Sequence, residues 1–158
     1  MSDEIYAELA FKNADRQPSI SKYARDRTII TSAISKCHGA GGWRLGFSIY
    51  PDALEAEKNA ILRVASETYS CVAAPIQHAA VAAYALDNED LNLYKRDSAR
   101  ILEAVGNRTT KKLLEHDIKV HYPEGGFYVY PDFSNYKEAI NTKLGTNSSK
   151  EFFKIMLE

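Results

Sequence analysis

The sequence predicts an α/β fold on three observations: a β-branched, apolar run from Thr28 to Ile34, a second short run from Leu45 to Tyr50, and helical periodicity through most of the chain beyond Pro51. Thr28 to Ile34 reads as a buried strand ending just before the small, glycine-rich run Gly39-Ala40-Gly41-Gly42, so Lys36 falls where a strand hands over to a tight loop. Pro51 stops the second strand. Asp52 is placed to cap a helix from about Ala53 to Glu67, with Leu54, Ile61, Leu62 and Val64 turned toward a core.

Pro75 suits a first helical turn, and the alanine-rich stretch it opens reads as a helix to Ala85, packed closely on a sheet or another helix. From about Glu89 to His116 the positions of Leu91, Tyr94, Ile101, Leu102, Val105, Leu113 and Leu114 keep helical spacing, and Gly106 marks an expected weak point or bend. A helix of that length is long enough to connect two domains. Ile118 to His121 and Phe127 to Tyr130 alternate like two strands joined through Pro123-Glu124-Gly125-Gly126, followed by a polar loop to about Asn147. Ser148 and Glu151 have capping-box spacing and open a terminal helix containing Phe152, Phe153, Ile155 and Met156.

Composition narrows the function classes. With 158 residues, 45% hydrophobic and 26% charged, the chain has the make-up of one globular domain or parts of two. Twenty Lys plus Arg against 21 Asp plus Glu leave a formal charge of -1, which provides neither a basic footprint for nucleic acid nor a polybasic anchor for a membrane. The expected partner is a small molecule or another protein chain. No run approaches the roughly 18 apolar residues of a membrane helix, and the acidic start Met1-Ser2-Asp3-Glu4 is unlike a signal peptide, so a cytoplasmic setting is expected.

Cys37 and Cys71 are too few for a disulfide framework, and His38, His78, His116 and His121 do not fall into zinc-ligand spacings with them, so no metal is expected. Cys37 and His38 stand beside Lys36 and invite a nucleophile-base reading, but neighbouring side chains leaving a strand point apart. Cys71 reads as a buried small residue. The glycine run is not a nucleotide-binding loop, because Lys36 precedes the glycines and a phosphate loop needs its lysine after them.

Three local patterns belong together: Asp3-Glu4-Ile5-Tyr6, then Ser35-Lys36, then Gly42-Trp43-Arg44-Leu45-Gly46. Their order and spacing resemble the class I/II (fold-type I) aminotransferases, in which an Asp three residues before a Tyr precedes a Ser-Lys and an Arg follows that lysine by eight positions. Pro75-Ile76-Gln77 before the alanine-rich helix, and Pro123-Glu124-Gly125-Gly126-Phe127-Tyr128, extend the resemblance over nearly the whole chain.

The resemblance implies a pyridoxal 5′-phosphate enzyme that transfers an amino group between an amino acid and a 2-oxo acid, with Lys36 as the lysine of the internal Schiff base. Such a lysine must act first as a nucleophile and then as a base. Asp3 would pair with the pyridinium nitrogen and keep the ring an electron sink, Tyr6 would donate to the phenolic oxygen, and Arg44 would hold the phosphate with its planar guanidinium. A hydroxyl residue common three positions before the lysine is Ala33 here, leaving Ser32 or Ser35 to compensate.

By the same resemblance, residues 1–88 are expected to form part of the cofactor-binding large domain, 89–116 a long connecting helix, and 117–158 part of the smaller α+β domain. The full-length enzyme would be a homodimer. The glycine segment around the phosphate, the aromatic stacked on the ring and the arginine for the substrate carboxylate are expected outside this chain, which makes it a fragment. Two alternatives share these residues: a lyase on the same fold, and an inactive fragment serving only as a folded interaction module.

Overall fold

The computed structural model describes residues 1–11, 17–85 and 87–158, a mixed α/β structure. Three short strands form one sheet in the order β1 (Ser2–Asp3), β2 (Ile30–Ala33), β3 (Gly46–Ile49). β1 runs parallel to β2, with Asp3 opposite Thr31, and β3 runs antiparallel to β2, with Ala33 opposite Gly46. A glycine suits position 46, because a Cβ there would come within a tight 3.3 Å of the Ser32 carbonyl oxygen on the neighbouring strand. Strand alternation puts Ile30, Ser32, Phe47 and Ile49 on one face and Asp3, Thr31 and Ser48 on the other.

The chain divides into two compact units, one of Met1–Leu102 with Glu124–Gly126 and the other of Glu103–Pro123 with Phe127–Glu158. The core of the first consists of Ala7, Leu9, Phe11, Ala33, Ile34, Cys37 and Leu45. Its amino-terminal segment is fastened by main-chain bonds: Phe11 N donates to the Glu124 carbonyl at 2.8 Å, and Gly126 N donates to the Leu9 carbonyl at 2.9 Å. A Cβ on Gly125 would stand 3.0 Å from that Leu9 oxygen and push on the backbone, so glycine eases this approach.

Helix α1 spans Glu55–Thr68 and is entered through a 3-10 turn, Asp52–Leu54. The expected Asp52 cap does not form: the N-cap is Leu54 and makes no side-chain bond, because the 3-10 turn places Asp52 ahead of the helix rather than at its first orphan N–H groups. The expected core face of α1 is also corrected. Ile61, Leu62 and Val64 are each more than half exposed, and no residue of the helix is buried. Periodicity marked an apolar stripe, but among the described residues nothing covers it.

Helix α2 (Ala74–Ala83) has Pro75 in its first turn as expected. Helix α3 (Glu89–Glu115) carries the chain from the first unit into the second and runs unbroken through Gly106. That glycine does not interrupt the helix. A Cβ there would meet Pro123 Cγ at 2.8 Å, so Gly106 clears space for the proline.

The second unit departs most from expectation. Among the described residues no hairpin forms at Ile118–His121 and Phe127–Tyr130, and Lys119 makes an isolated bridge to Asp132. Gly125 instead pairs with Ala10, so the intended turn spends its hydrogen bonds elsewhere, and Tyr130 is left 93% exposed. The expected polar loop contains a further helix, α4 (Lys137–Leu144), closed by Gly145 at φ +70°. Asp132 opens the turn leading to it by accepting from Ser134 N at 2.8 Å, a bond that holds the Asp132 carboxyl below the usual carboxylate range. The terminal helix α5 (Ser149–Leu157) begins as the sequence indicates, with the Ser148 hydroxyl accepting from Glu151 N.

Candidate active site

β1 and β2 are parallel, so the residues that follow them leave the same edge of the sheet, the place where open α/β sheets bind ligands. Asp3 is the last residue of β1 and is exposed; its carboxylate accepts from Ile5 N at 3.2 Å. Tyr6 follows three residues on, half-buried, with Gly126 close enough that a Cβ there would lie 3.7 Å from the ring. Beyond β2 the chain turns tightly through Ile34–His38, with Gly39 N donating to the Lys36 carbonyl at 3.1 Å and Gly39 itself at φ +63°.

In that turn Ile34 and Cys37 are buried and anchor it, while Lys36 between them is half-buried. The Lys36 ammonium lies 5.8 Å from the centroid of the Tyr6 ring. Arg44 is exposed and left-handed (φ 55°, ψ 43°), and its guanidinium donates back to the Gly41 carbonyl at 2.8 Å. The fold thus brings Lys36 to Tyr6 and sets Asp3 on the adjacent strand, while the recorded bond of Arg44 stays within its own loop.

A cavity of about 490 Å³ opens on the other face of the sheet, bordered by Ser32, Phe47, Glu8, Cys37 and Lys95. None of Asp3, Tyr6, Lys36 or Arg44 lines it. Beside it is a grouping that sequence reasoning missed. Cys37 Sγ is 3.0 Å from His38 Nδ1, His38 Nε2 is 2.9 Å from the Ala83 carbonyl oxygen, and Lys95 pairs with Glu8 at 3.2 Å. The expectation that Cys37 and His38 point apart fails because both sit in a turn, where strand alternation does not apply. Burial, reinforced by the Glu8 carboxylate, pushes the Cys37 thiol up to about 12. Cys71, expected to be buried, is exposed.

The family profile described as "Aminotransferase class I and II" matches residues 1–158. The chain belongs to this family. A probable N-acetyl-LL-diaminopimelate aminotransferase of Bacillus subtilis is 32% identical over 136 residues, covering 86% of this chain and 32% of that protein. The Bacillus subtilis aspartate aminotransferase is 32% identical over 162 residues, covering all of this chain and 38% of its own length. The chain therefore spans about a third of the curated relatives it matches. Among solved structures, the aromatic aminotransferase of Pyrococcus horikoshii superposes with a TM-score of 0.74 over 90% of this chain and 39% of that one, at 24% identity, which shows the fold. Members of the class I and II aminotransferase family are enzymes that use pyridoxal 5′-phosphate. Among the described residues, no helix is long and apolar enough to cross a membrane.

Proposed function

We propose that this chain carries the lysine-bearing part of a pyridoxal-phosphate-dependent aminotransferase that moves an amino group between an amino acid and a 2-oxo acid. The observation behind the reading is the amine of Lys36 held 5.8 Å over the Tyr6 ring at the edge where parallel β1 and β2 end. The donor set suits the cofactor: an amine, a phenol, a carboxylate and a guanidinium, each matched to one of its groups. Bound there, pyridoxal phosphate supplies an aldehyde and a ring that accepts the electron pair released at the substrate α-carbon.

The protein's own groups do the rest. Lys36 would hold the cofactor through its Nζ, would yield that place to the substrate amine, and would then serve as the free amine that carries the α-carbon proton. The Tyr6 hydroxyl would donate to the phenolic oxygen, and the Asp3 carboxylate would keep the ring nitrogen protonated. Arg44, which here donates to the Gly41 carbonyl, would hold the phosphate oxygens instead, a stronger charged pairing for a guanidinium. Of the two serines flanking Ala33, Ser32 lies on the cavity face of the sheet, which leaves Ser35, in the Lys36 turn, as the hydroxyl available to the phosphate.

On this reading residues 1–88 contribute to the large domain, 89–116 connect, and 117–158 contribute to the small domain, within a cytoplasmic homodimer. The test uses the chain itself. After incubation with pyridoxal phosphate and reduction with borohydride, peptide mass spectrometry is expected to find the label concentrated on Lys36 and absent from Lys36→Ala. Label spread evenly over exposed lysines, or centred on another lysine, would overturn the site.

A further inference from the structure

We propose that Glu8, Cys37 and His38 form a binding site for a thiophilic divalent cation such as Zn²⁺ or Cd²⁺, held by Cys37 Sγ, His38 Nδ1 and a Glu8 carboxylate oxygen. These three side chains offer ligand atoms that all lie within 4.8 Å of one another. Sulfur, imidazole nitrogen and carboxylate oxygen make the mixed set that suits a tetrahedral borderline cation and leaves one position for water.

The imidazole is already oriented for the task. His38 Nε2 faces the Ala83 carbonyl at 2.9 Å and so carries the ring proton, which leaves the Nδ1 lone pair directed at Cys37 Sγ, 3.0 Å away. The Tyr84 ring packs against the imidazole in a T-shaped contact, with the ring centroids 5.1 Å apart, and supports that orientation. Glu8 and Cys37 both line the 490 Å³ cavity, which provides an entry path and the water.

The geometry needs small adjustments. A Zn–S bond of about 2.3 Å and a Zn–N bond of about 2.0 Å at a tetrahedral angle separate S and N by roughly 3.5 Å, so the His38 ring backs off from its present 3.0 Å. Lys95 Nζ, 3.2 Å from Glu8 Oε2, is the cation that a metal would compete with for this carboxylate. That oxygen is buried and has no aligned hydrogen bond, so the ammonium compensates its charge without saturating it. On binding, the Cys37 thiol loses its proton to solvent as the S–metal bond forms, Lys95 swings toward the cavity, and two ligand negative charges balance the cation. No electron transfer is involved.

The probe is Cd²⁺, titrated into the intact chain and followed by the sulfur-to-metal charge-transfer band in the near ultraviolet. A saturable band is expected, lost in Cys37→Ser, retained in Cys71→Ser, and weakened at least tenfold in affinity by Glu8→Gln or His38→Gln. Lys95→Met removes the competing ammonium and is expected to tighten binding by about tenfold, since about 1.4 kcal/mol is a factor of ten. Glu8→Gln keeps the test decisive if Cys37→Ser does not fold, with far-ultraviolet circular dichroism as the check. A band that persists in Cys37→Ser, depends on Cys71 or never saturates overturns the proposal, as does an affinity indifferent to Glu8 and Lys95.

Discussion

The ammonium of Lys36 stands 5.8 Å from the ring centroid of Tyr6, although one follows β2 and the other follows β1. Parallel pairing of the two strands, Ser2 opposite Ile30 and Asp3 opposite Thr31, produces the relationship by releasing both segments at one edge. A cation over an aromatic face contributes about 0.5–1 kcal/mol when exposed and more as water is excluded. Both residues are half-buried.

Two substitutions separate the ring of Tyr6 from its hydroxyl. Tyr6→Phe keeps the face under Lys36 and is expected to lower stability by no more than about 1.5 kcal/mol, while Tyr6→Ala removes the packing as well and is expected to cost about 2–3 kcal/mol. Urea denaturation measures both. If Tyr6→Ala proves as stable as Tyr6→Phe, the ring does not support Lys36.

Gly125 and Gly145 are required for different reasons, and substitution distinguishes them. A Cβ on Gly125 meets backbone, 3.0 Å from the Leu9 oxygen and 3.2 Å from Ala10 Cα. Gly125→Ala is therefore expected to destabilise by about 1–3 kcal/mol, with Gly125→Asn no better. Gly145 has nothing within 4 Å of its virtual Cβ but sits at φ +70°. Gly145→Ala should cost about 1 kcal/mol and Gly145→Asn less, because asparagine tolerates the left-handed region. Thermal melts of the four variants supply the comparison.

Alkaline stability follows from Cys37. Burial first, and the Glu8 charge second, raise its thiol from 9.0 to about 12, so the native chain keeps a proton that the unfolded chain loses. The contribution is complete below about pH 9 and declines as pH rises toward about 12. Urea midpoints for the wild-type chain are expected to fall across that window more steeply than those of Cys37→Ala. Iodoacetamide at mild pH should modify exposed Cys71 and spare Cys37 until the chain unfolds.

Ser148 begins α5 by accepting from Glu151 N at 3.4 Å in an exposed position. Ser148→Ala is expected to cost about 0.5–1 kcal/mol, at the low end for a lost cap, and Ser148→Asp to restore it. Amide exchange in the first turn of α5 is the direct measurement, and unchanged protection in Ser148→Ala would remove the cap from the account.

Much of this was legible in the residues alone, where the cause is local. The strand within the β-branched run Thr28 to Ile34, though it proves shorter at Ile30–Ala33, the extent of α3 and the Ser148 cap all follow from neighbours within a few positions, and the spacing of Lys36 to Arg44 pointed to the family. The residues of α4 also carry a helical signal, since Ile140 and Leu144 stand one turn apart and Gly145 follows them, but the polar residues between give the segment the composition of a loop. Tertiary structure alone decided the rest. Pairing of Gly125 with Ala10 displaced the hairpin expected at Phe127–Tyr130, Pro123 explained Gly106, and α1 kept its apolar stripe exposed. It also joined Glu8 to Cys37 and His38 and laid Lys36 over Tyr6. Periodicity and capping are properties of one segment, whereas these contacts depend on which distant segment arrives, a choice made by the pairing of strands and the burial of side chains that no local pattern encodes.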